Sequence, residues 1–566
     1  MKERDFDLAA SLFARAIQIA GPLAGYCENL AAALRGAGNL RQAAICYEQA
    51  ISGDPGDVRL YLELARVLMQ DGRAAEALMH LKGALALTPE SAEAWALLGG
   101  AMSLSGHSAL AAEALKQAVD LDASQAAYQF DLGLVLCQLG DPEGSEAAYR
   151  RALLVKPEFP EALNNLGNLL RRNNAPAEAV ACFRRALRQK PDYADARYNL
   201  GLALQALDLL DDAEACYTHV LTEAPGHHAA MNNSANVMMG LGRIHEALRR
   251  YERAVRLAPA NREYRVNAGM AQLLDGDFQQ GWRNYAARAA PVAAGARLWN
   301  GEHLKGSSIL LLSEQGLGDT IQFIRYARLL DREGARVQAL CPPSLAELLR
   351  SAAGVERVIA DDQAPPAGEW YAPLLHLPAV FGTRAGTIPA EVPYLWAVPE
   401  RVRHWGSWMS AATGSASSLR VGLAWRGGRD HWNDRNRSMN SSLLAALRGV
   451  PSTTFFSLQK DCREGCEELE FTPLPRDLTD FADTAALMTH LDLVISVDTS
   501  VAHLAGALGR PTWLLLPFAP DWRWMMERTD SPWYPQMRLF RQIRRGDWRS
   551  VVEEVRDALV NLSHAR

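Results

Sequence analysis

Proline recurs at positions 55, 89, 157, 191, 225 and 259, a step of 34 residues with one beat missing at Ala123. Eight residues before each beat, starting one step upstream, stands a large apolar residue: Phe13, Tyr47, Leu81, Leu115, Tyr149, Phe183, Tyr217 and Tyr251. Three residues further on is a small one: Ala16, Ala50, Ala84, Ala118, Ala152, Ala186, Val220 and Ala254. Such a period marks a solenoid of helical hairpins, none of which can bury its apolar face alone. The aromatic plugs the pocket beside the next hairpin, and the small residue lets two helices approach. Proline cannot continue a helix and sets the turn into the next unit. Residues 1–290 are therefore expected to form an α-helical solenoid of eight repeats plus a partial ninth, whose last helix lies in "GDFQQGWRNYAAR". The chain begins almost inside a helix, with no obvious cap. Cys46, Cys182 and Cys216 share the register just before the aromatic and read as packing residues.

The period is that of the tetratricopeptide repeat. One of its registers is polar where packing alone would not ask for it: Asn29, Glu63, Leu97, Asp131, Asn165, Asn199, Asn233 and Asn267. First helices line the concave face of such a superhelix. A carboxamide both donates and accepts, so Asn165, Asn199, Asn233 and Asn267 are expected to grip an extended acceptor peptide by its backbone. The plainer reading is a solvated face, but asparagine is a mediocre helix former. The arrangement resembles the asparagine ladder of the nucleocytoplasmic O-GlcNAc transferases.

At 566 residues the chain is too long for one core. Beyond residue 290 the beat stops, and "PVAAGARLWNGEHLKGS" (linker 291–305) leads into strand-like runs alternating with helical ones. The runs Ile309–Leu312, Val337–Leu340 and Val355–Ile359 suggest an α/β unit over 306–400 with a parallel sheet. A Ser/Ala-rich stretch marks a hinge at 401–418, and a second unit over 419–566 carries "LRVGLAW", "TTFFSLQ", "LDLVISV" and "TWLLLP". Two such units bind ligand in the cleft between them, at the C-terminal strand ends.

Candidate residues stand at those ends. "LLLSEQGLGDTIQFIRY" puts Gly316, Gly318 and Asp319 on a turn between strand and helix. The glycines are expected to let the backbone turn and to keep the approach open, and Asp319 either caps the helix or faces the cleft. Glu314 and Gln315 either line the same turn or bond its backbone. "LVISVDTSVAH" places Asp498, Thr499, Ser500 and His503 at a helix start, where Thr499 or Ser500 can cap and free N–H groups attract anions. "WRGGRDHWNDRNRS" sets Trp425, Arg426, Arg429, Arg435 and Arg437 after another strand, readable as a solvated charge run or as a phosphate clamp. Lys460 ends "FFSLQK" and Asp521 follows the last strand run in "APDWRW"; both are candidates to touch a bound ligand, a nucleotide for Lys460 and a ribose or sugar hydroxyl for Asp521, while the adjacent tryptophans read as packing. No G-x-x-x-x-G-K-[ST] and no full G-x-G-x-x-G is present, so neither an NTPase nor a nicotinamide enzyme is indicated.

Bulk properties narrow the classes further. A formal charge of −6 argues against general nucleic-acid binding. No apolar run approaches the ~20 residues that span a bilayer, and "MKERDFDLAASLF" has no signal-like apolar region, so a cytoplasmic protein is expected. The eight cysteines form no disulfide framework, and Cys462 with Cys466 lacks the partners of a zinc site, so no metal is expected.

"EQGLGDTIQFIRY", "VGLAWRGGRDHWNDRNRS", "DLTDFADTAALMTHLDLVISVDTSVAHLAGALGRPTWLLLP" and "DWRW…SPWYP" together resemble the heptosyltransferase-type (family 9-like) glycosyltransferase domain. The resemblance covers nearly all of residues 280–550. It implies a GT-B fold, a nucleotide-sugar donor, inversion at the anomeric carbon and no metal. It also implies that Asp319 is the base and that Asp498, Thr499, Ser500 and His503 meet the donor phosphates. Family members carry a lysine in the loop after the first strand of the second unit; this loop offers arginines and Trp432 instead. Soluble bacterial flagellin glycosyltransferases likewise join such repeats to such a domain. The expected function is transfer of a sugar to a protein acceptor, a flagellin-type protein among them, held by the repeats. Two alternatives stay open: an enzyme of this fold acting on lipopolysaccharide or another surface glycan, and a non-catalytic repeat scaffold.

Overall fold

A methyl group added at Gly133, Gly167 or Gly201 would lie 2.7 Å from the ring of Tyr149, Phe183 or Tyr217 respectively. Each glycine is in the first helix of a hairpin and each ring in the second, so the pair sets how closely the two helices approach. The same fit appears at Gly99, whose Cβ would lie 2.6 Å from Leu115. The computed structural model describes residues 2–293, 295–363, 369–413, 418–428, 433–459, 472 and 478–565, which group into two compact units, Met1–Glu223 and Ala224–Arg566.

The first unit is wholly helical among its described residues, running from Lys2–Ala20 through pairs such as Pro160–Arg172 and Pro176–Gln189 to Leu210–Glu223. Side chains of Asn39, Asp57, Ser91 and Asp141 cap helix starts, and Pro142, Pro160 and Pro176 occupy first turns, where the missing N–H costs nothing. The turn inside each hairpin needs a left-handed residue. Gly38, Gly72, Gly106 and Gly140 supply it, followed in the same register by Asn174 (φ 61°) and Asp208 (φ 68°), residue types that tolerate this region. Cys46 and Cys182 are buried against the core, and that burial pushes their thiols up, away from nucleophilic use.

Asp131 occupies the register that asparagine fills at 165 and 199. Burial pushes its carboxyl up to about 6. A buried carboxylate without a compensating cation pays a desolvation penalty that a carboxamide avoids.

In the second unit the helices His228–Gly240, Ile244–Leu257, Arg262–Asp275 and Phe278–Tyr285 continue the hairpin pattern and share one core with two parallel sheets. The first sheet contains β1 (Arg297–Leu298), β2 (Ser308–Leu312), β3 (Arg336–Cys341), β4 (Arg357–Ala360) and β5 (Trp370–Pro373) in the order β1-β5-β2-β3-β4. The second contains β6 (Leu419–Ala424), β7 (Thr453–Ser457), β8 (Leu493–Val497), β9 (Thr512–Leu516) and β10 (Met537–Arg541) in the order β10-β9-β8-β6-β7. β8 is buried at every position, which is why "LVISV" is apolar without alternation.

Three strands lay outside the sequence reading. β1 lies within the stretch read as a linker and pairs with β5; β5 and β10 were likewise unread. The segment read as a hinge is largely the helix Pro399–Thr413, whose Trp405 and Met409 are buried, with Trp405 Nε1 donating to Asp483 at 3.1 Å. Its apolar spacing outweighs its serines and alanines.

The repeat helices are fastened to the first sheet by buried polar contacts. Trp282 Nε1 donates to the Thr383 carbonyl at 3.0 Å, and Tyr326 shares a 2.7 Å hydrogen bond with the Thr383 hydroxyl. Arg288 forms a two-point ion pair with Glu314 at 2.7 and 3.0 Å, and Glu314 also accepts from Leu375 N at 2.8 Å. Glu314 is thus a buried clamp for the backbone. Among the described residues no helix is long and apolar enough to cross a membrane.

Two glycine substitutions in first helices are expected to act oppositely. Gly201→Ala forces a Cβ against Tyr217 and should lower stability by about 1–3 kcal/mol despite the better helix propensity of alanine. Gly100→Ala meets open space and should raise stability by about 0.5–1 kcal/mol. Thermal and urea unfolding of both variants checks the pair. Asp131→Asn provides a pH test. The native carboxyl titrates above its unfolded value, so its contribution is full below pH ~4 and is lost as pH rises through about 6. The variant should match wild type near pH 4 and exceed it by about 1–3 kcal/mol above pH 7.

Candidate active site

Strand order locates the crevice before any side chain is considered. In the first sheet the chain runs outward from β2 to β3 and β4, then returns to place β5 on the other side of β2. In the second it runs from β6 to β7, then returns to place β8 on the other side of β6. Ligands of open parallel sheets bind beside the strand ends at such reversals. The loops there begin at Ser313, Leu374, Trp425 and Asp498, three of which carry the motifs found in the sequence.

After β2 the left-handed residue of the turn is Gln315 (φ 59°), held by hydrogen bonds between its carboxamide and Tyr285 Oη at 3.0 and 3.3 Å. Neither Gly316 nor Gly318 has a positive φ, so the expected turning role of these glycines is corrected. Gly318 is needed for close approach: its Cβ would lie 2.8 Å from Cδ2 of His503 and 3.5 Å from the Cα of Ser500. The start of the helix Leu317–Phe323 therefore abuts the start of the helix Ser500–Ala507. Asp319 does cap its helix, Oδ2 accepting from Gly316 N at 2.8 Å, while Oδ1 pairs with Arg523. Its side chain is 17% exposed, facing neither bulk water nor a closed core.

Across the seam, Asp498 follows β8. Burial, then the neighbouring Asp521 charge, push its carboxyl up to about 6. His503 lies with Nε2 3.8 Å from Asp498 Oδ1, shares a 2.9 Å hydrogen bond through Nδ1 with Tyr534 Oη, and stacks on Trp524. Burial, followed by Arg523, Arg325 and Arg437, holds its pKa well below the usual histidine range, so the imidazole is neutral at physiological pH. Thr499 stands at the helix N-cap, but its hydroxyl bonds Ser496 Oγ at 3.0 Å instead of capping. The backbone of Ser500 opens the helix.

The arginine loop is only partly drawn in. Arg437 Nη1 donates to the Asp498 carbonyl at 3.1 Å, tying the loop after β6 to the end of β8. Arg426 is exposed, with its backbone N donating to Gln459 at 3.1 Å, and Arg435 is exposed on the short helix Asp434–Arg437. Trp425 is corrected to a core residue: it is 4% exposed and packs in the cluster with Leu423, Met439 and Leu444. Arg429, Trp432, Lys460, Cys462 and Cys466 lie outside the described residues.

Sequence reading missed Arg523, which the loop after β9 inserts between Asp319 and Asp521. The available signal was an arginine flanked by two tryptophans beside Asp521. Asp521 remains one-third exposed and accepts from Arg523 Nη1 at 2.8 Å.

The asparagines do not form a simple row. Asn199 Nδ2 donates to Asn164 Oδ1 at 3.0 Å, and Asn164 Nδ2 donates to Asn165 Oδ1 at 3.3 Å. In the second unit Asn267 donates to Asn232 at 3.1 Å, and Asn232 to Asn233 at 3.3 Å. Asn164 and Asn232 are buried, and each joins two more open amides head to tail. The visible signal was the doubled Asn-Asn at 164–165, which returns two repeats on at 232–233.

Tetratricopeptide-repeat models match residues 34–101 and, in overlapping stretches, 105–162, 136–181, 164–228 and 232–294. The glycosyltransferase family 9 (heptosyltransferase) model matches residues 458–516, which include β8, Asp498, His503 and β9. Protein FlbA of Caulobacter vibrioides is 27% identical over 328 residues, 51% of this chain and 53% of the relative. The chain thus spans about half the length of that curated relative. Among solved structures, MamA is 29% identical over 28% of this chain and 94% of its own, with a TM-score of 0.27. TTC0263, a tetratricopeptide-repeat protein of Thermus thermophilus, is 26% identical over 32% and 99%, with a TM-score of 0.28. The chain thus carries tetratricopeptide repeats and, behind them, a glycosyltransferase family 9 match over residues 458–516.

Proposed function

We propose that the chain is an inverting, metal-independent glycosyltransferase of GT-B type that acts in the cytoplasm and moves a sugar from a nucleotide-sugar donor to a protein held by its repeats. The observation that carries this reading is the meeting of Gly318 and Asp319 with His503 and Arg523 at the strand ends of two parallel sheets. In the transfer, the acceptor hydroxyl oxygen bonds to the anomeric carbon while the bond from that carbon to the donor phosphate breaks. The electron pair leaves with the phosphate and the hydroxyl proton passes to Asp319. Both Asp319 oxygens already accept one hydrogen bond, but each keeps a further lone pair for that proton. Arg437 and the N-terminal amides of the helix Ser500–Ala507 are the groups suited to meet the departing phosphate. Asp521, one-third exposed, is suited to a sugar or ribose hydroxyl.

The amide clusters support a polypeptide acceptor, because the buried central asparagine fixes how its two neighbours present donors and acceptors to an extended backbone. A flagellin-type protein is the first acceptor to test.

Full-length protein is incubated with flagellin and, separately, UDP-N-acetylglucosamine, GDP-mannose, an ADP-heptose and CMP-N-acetylneuraminate. Thermal shift identifies the donor and intact mass the product. Asp319→Asn should lower transfer by roughly 10²-fold or more while donor-induced stabilisation persists; full transfer by that variant removes Asp319 as the base. Changing Asn165, Asn199 and Asn233 together to Ala should weaken acceptor capture by about tenfold or more, measured by titration binding, and leave donor binding intact.

A further inference from the structure

Arg523 offers one nitrogen to each of three acceptors drawn from both sheets. Nε donates to Gln322 Oε1 at 2.7 Å, Nη1 to Asp521 Oδ1 at 2.8 Å, and Nη2 to Asp319 Oδ1. Gln322 and Asp319 belong to the helix after β2, whereas Asp521 and Arg523 belong to the loop after β9. The guanidinium lies 4.2 Å over the ring of Trp522. That ring in turn meets Trp282 edge-on at 5.2 Å and Tyr285 at 6.0 Å, both from the last repeat helix, Phe278–Tyr285. The Arg523 side chain is 8% exposed. A cation so placed has few alternative rotamers, and two carboxylates that would otherwise repel share it.

We propose that Arg523 is the positioning residue of the site: its guanidinium, clamped on Trp522 by the last repeat helix, fixes the Asp319 carboxylate in place and couples it to Asp521. The proposal rests on Asp319 as the acceptor of the proton. Arg523 need not touch either substrate; it acts through Asp319. The other titratable groups around the pair are Tyr285 from the repeat helix, Asp498 and His503 from the end of β8 and its helix, and Arg437 from the loop after β6.

The test separates positioning from a structural tie by rate against affinity. Full-length Arg523→Gln, Arg523→Lys and Asp521→Asn are assayed with flagellin and whichever of UDP-N-acetylglucosamine, GDP-mannose, ADP-heptose or CMP-N-acetylneuraminate stabilises the wild type. Arg523→Gln should lower kcat by roughly tenfold or more with little change in the donor KM, and Arg523→Lys should recover part of that loss because a cation again faces the carboxylate. If Arg523→Gln does not fold, Arg523→Lys, which keeps the charge but not the fork, and Asp521→Asn should each still lower kcat by a few-fold at unchanged donor KM. Wild-type kcat in every folded variant overturns the proposal, leaving Arg523 a structural tie. Full transfer by Asp319→Asn overturns the base assignment instead.

Discussion

The absent side chain at Gly318 is the constraint from which the second unit is assembled. Only a glycine leaves room for the imidazole of His503 beside that backbone, and without this contact the two helix starts would be held apart. Bringing two helix N-termini together sets like partial charges against each other. The sequence answers with acids: Asp319 within the first turn of one helix, Asp498 just ahead of the other, and Asp521 opposite both, with Arg523 threaded between. A second seam lies behind. Arg325 is buried, donating to the Gln322 and Trp533 carbonyls and the Tyr394 hydroxyl at 2.7–2.9 Å, with its face against Tyr394 and Tyr534. Burying a guanidinium this way is tolerable only if its N–H groups find acceptors, and those acceptors come from segments around both sheets.

How much of this was legible in the chain depended on how local the cause was. The hairpin repeat was readable because 34-residue spacing is a one-dimensional signal, and the Gly–aromatic fit simply realises it in three dimensions. β2 and β8 were readable because strands buried on both faces are unbroken apolar runs. β1 is two residues long and exposed, and it is a strand only because β5 lies beside it. Trp425 looked like part of a ligand loop because it adjoins Arg426, yet the strand's alternation turns it into the core. The flanking tryptophans and Asp521 mark the loop of Arg523, but not what it reaches. Its partners Asp319 and Gln322 lie some two hundred residues upstream, and nothing near "DWRW" announces them.

The repeats enter the second unit as structure as well as surface. The left-handed turn at Gly242 lies against Phe518, Gly276 against Met525, and Trp282 against Trp522, so three successive points of the hairpin array touch the loop that carries Asp521 and Arg523. The second compact unit accordingly begins at Ala224, well inside the repeat array. Helices that carry Asn233 and Asn267 are the same helices, or their immediate neighbours, that support this loop. A protein segment bound along those amides would therefore lie on the scaffold that positions Arg523, with no separate linker to absorb a displacement.

Charge balance argues for the order in which such a site can be filled. With His503 held neutral, Arg437 and Arg523 are cations at the seam among the described residues, and each already serves a carboxylate or a carbonyl. A phosphate brought there adds negative charge beside Asp498, which is already pushed up to about 6 by burial and by Asp521. Protonation of Asp498 would remove that repulsive charge and leave a hydroxyl able to donate. Asp319 pairs instead with Arg523, across the seam from Asp498. The two acids thus stand in different surroundings: Asp319 shares one buried guanidinium with Asp521, whereas Asp498 is pushed up by burial and by that same Asp521.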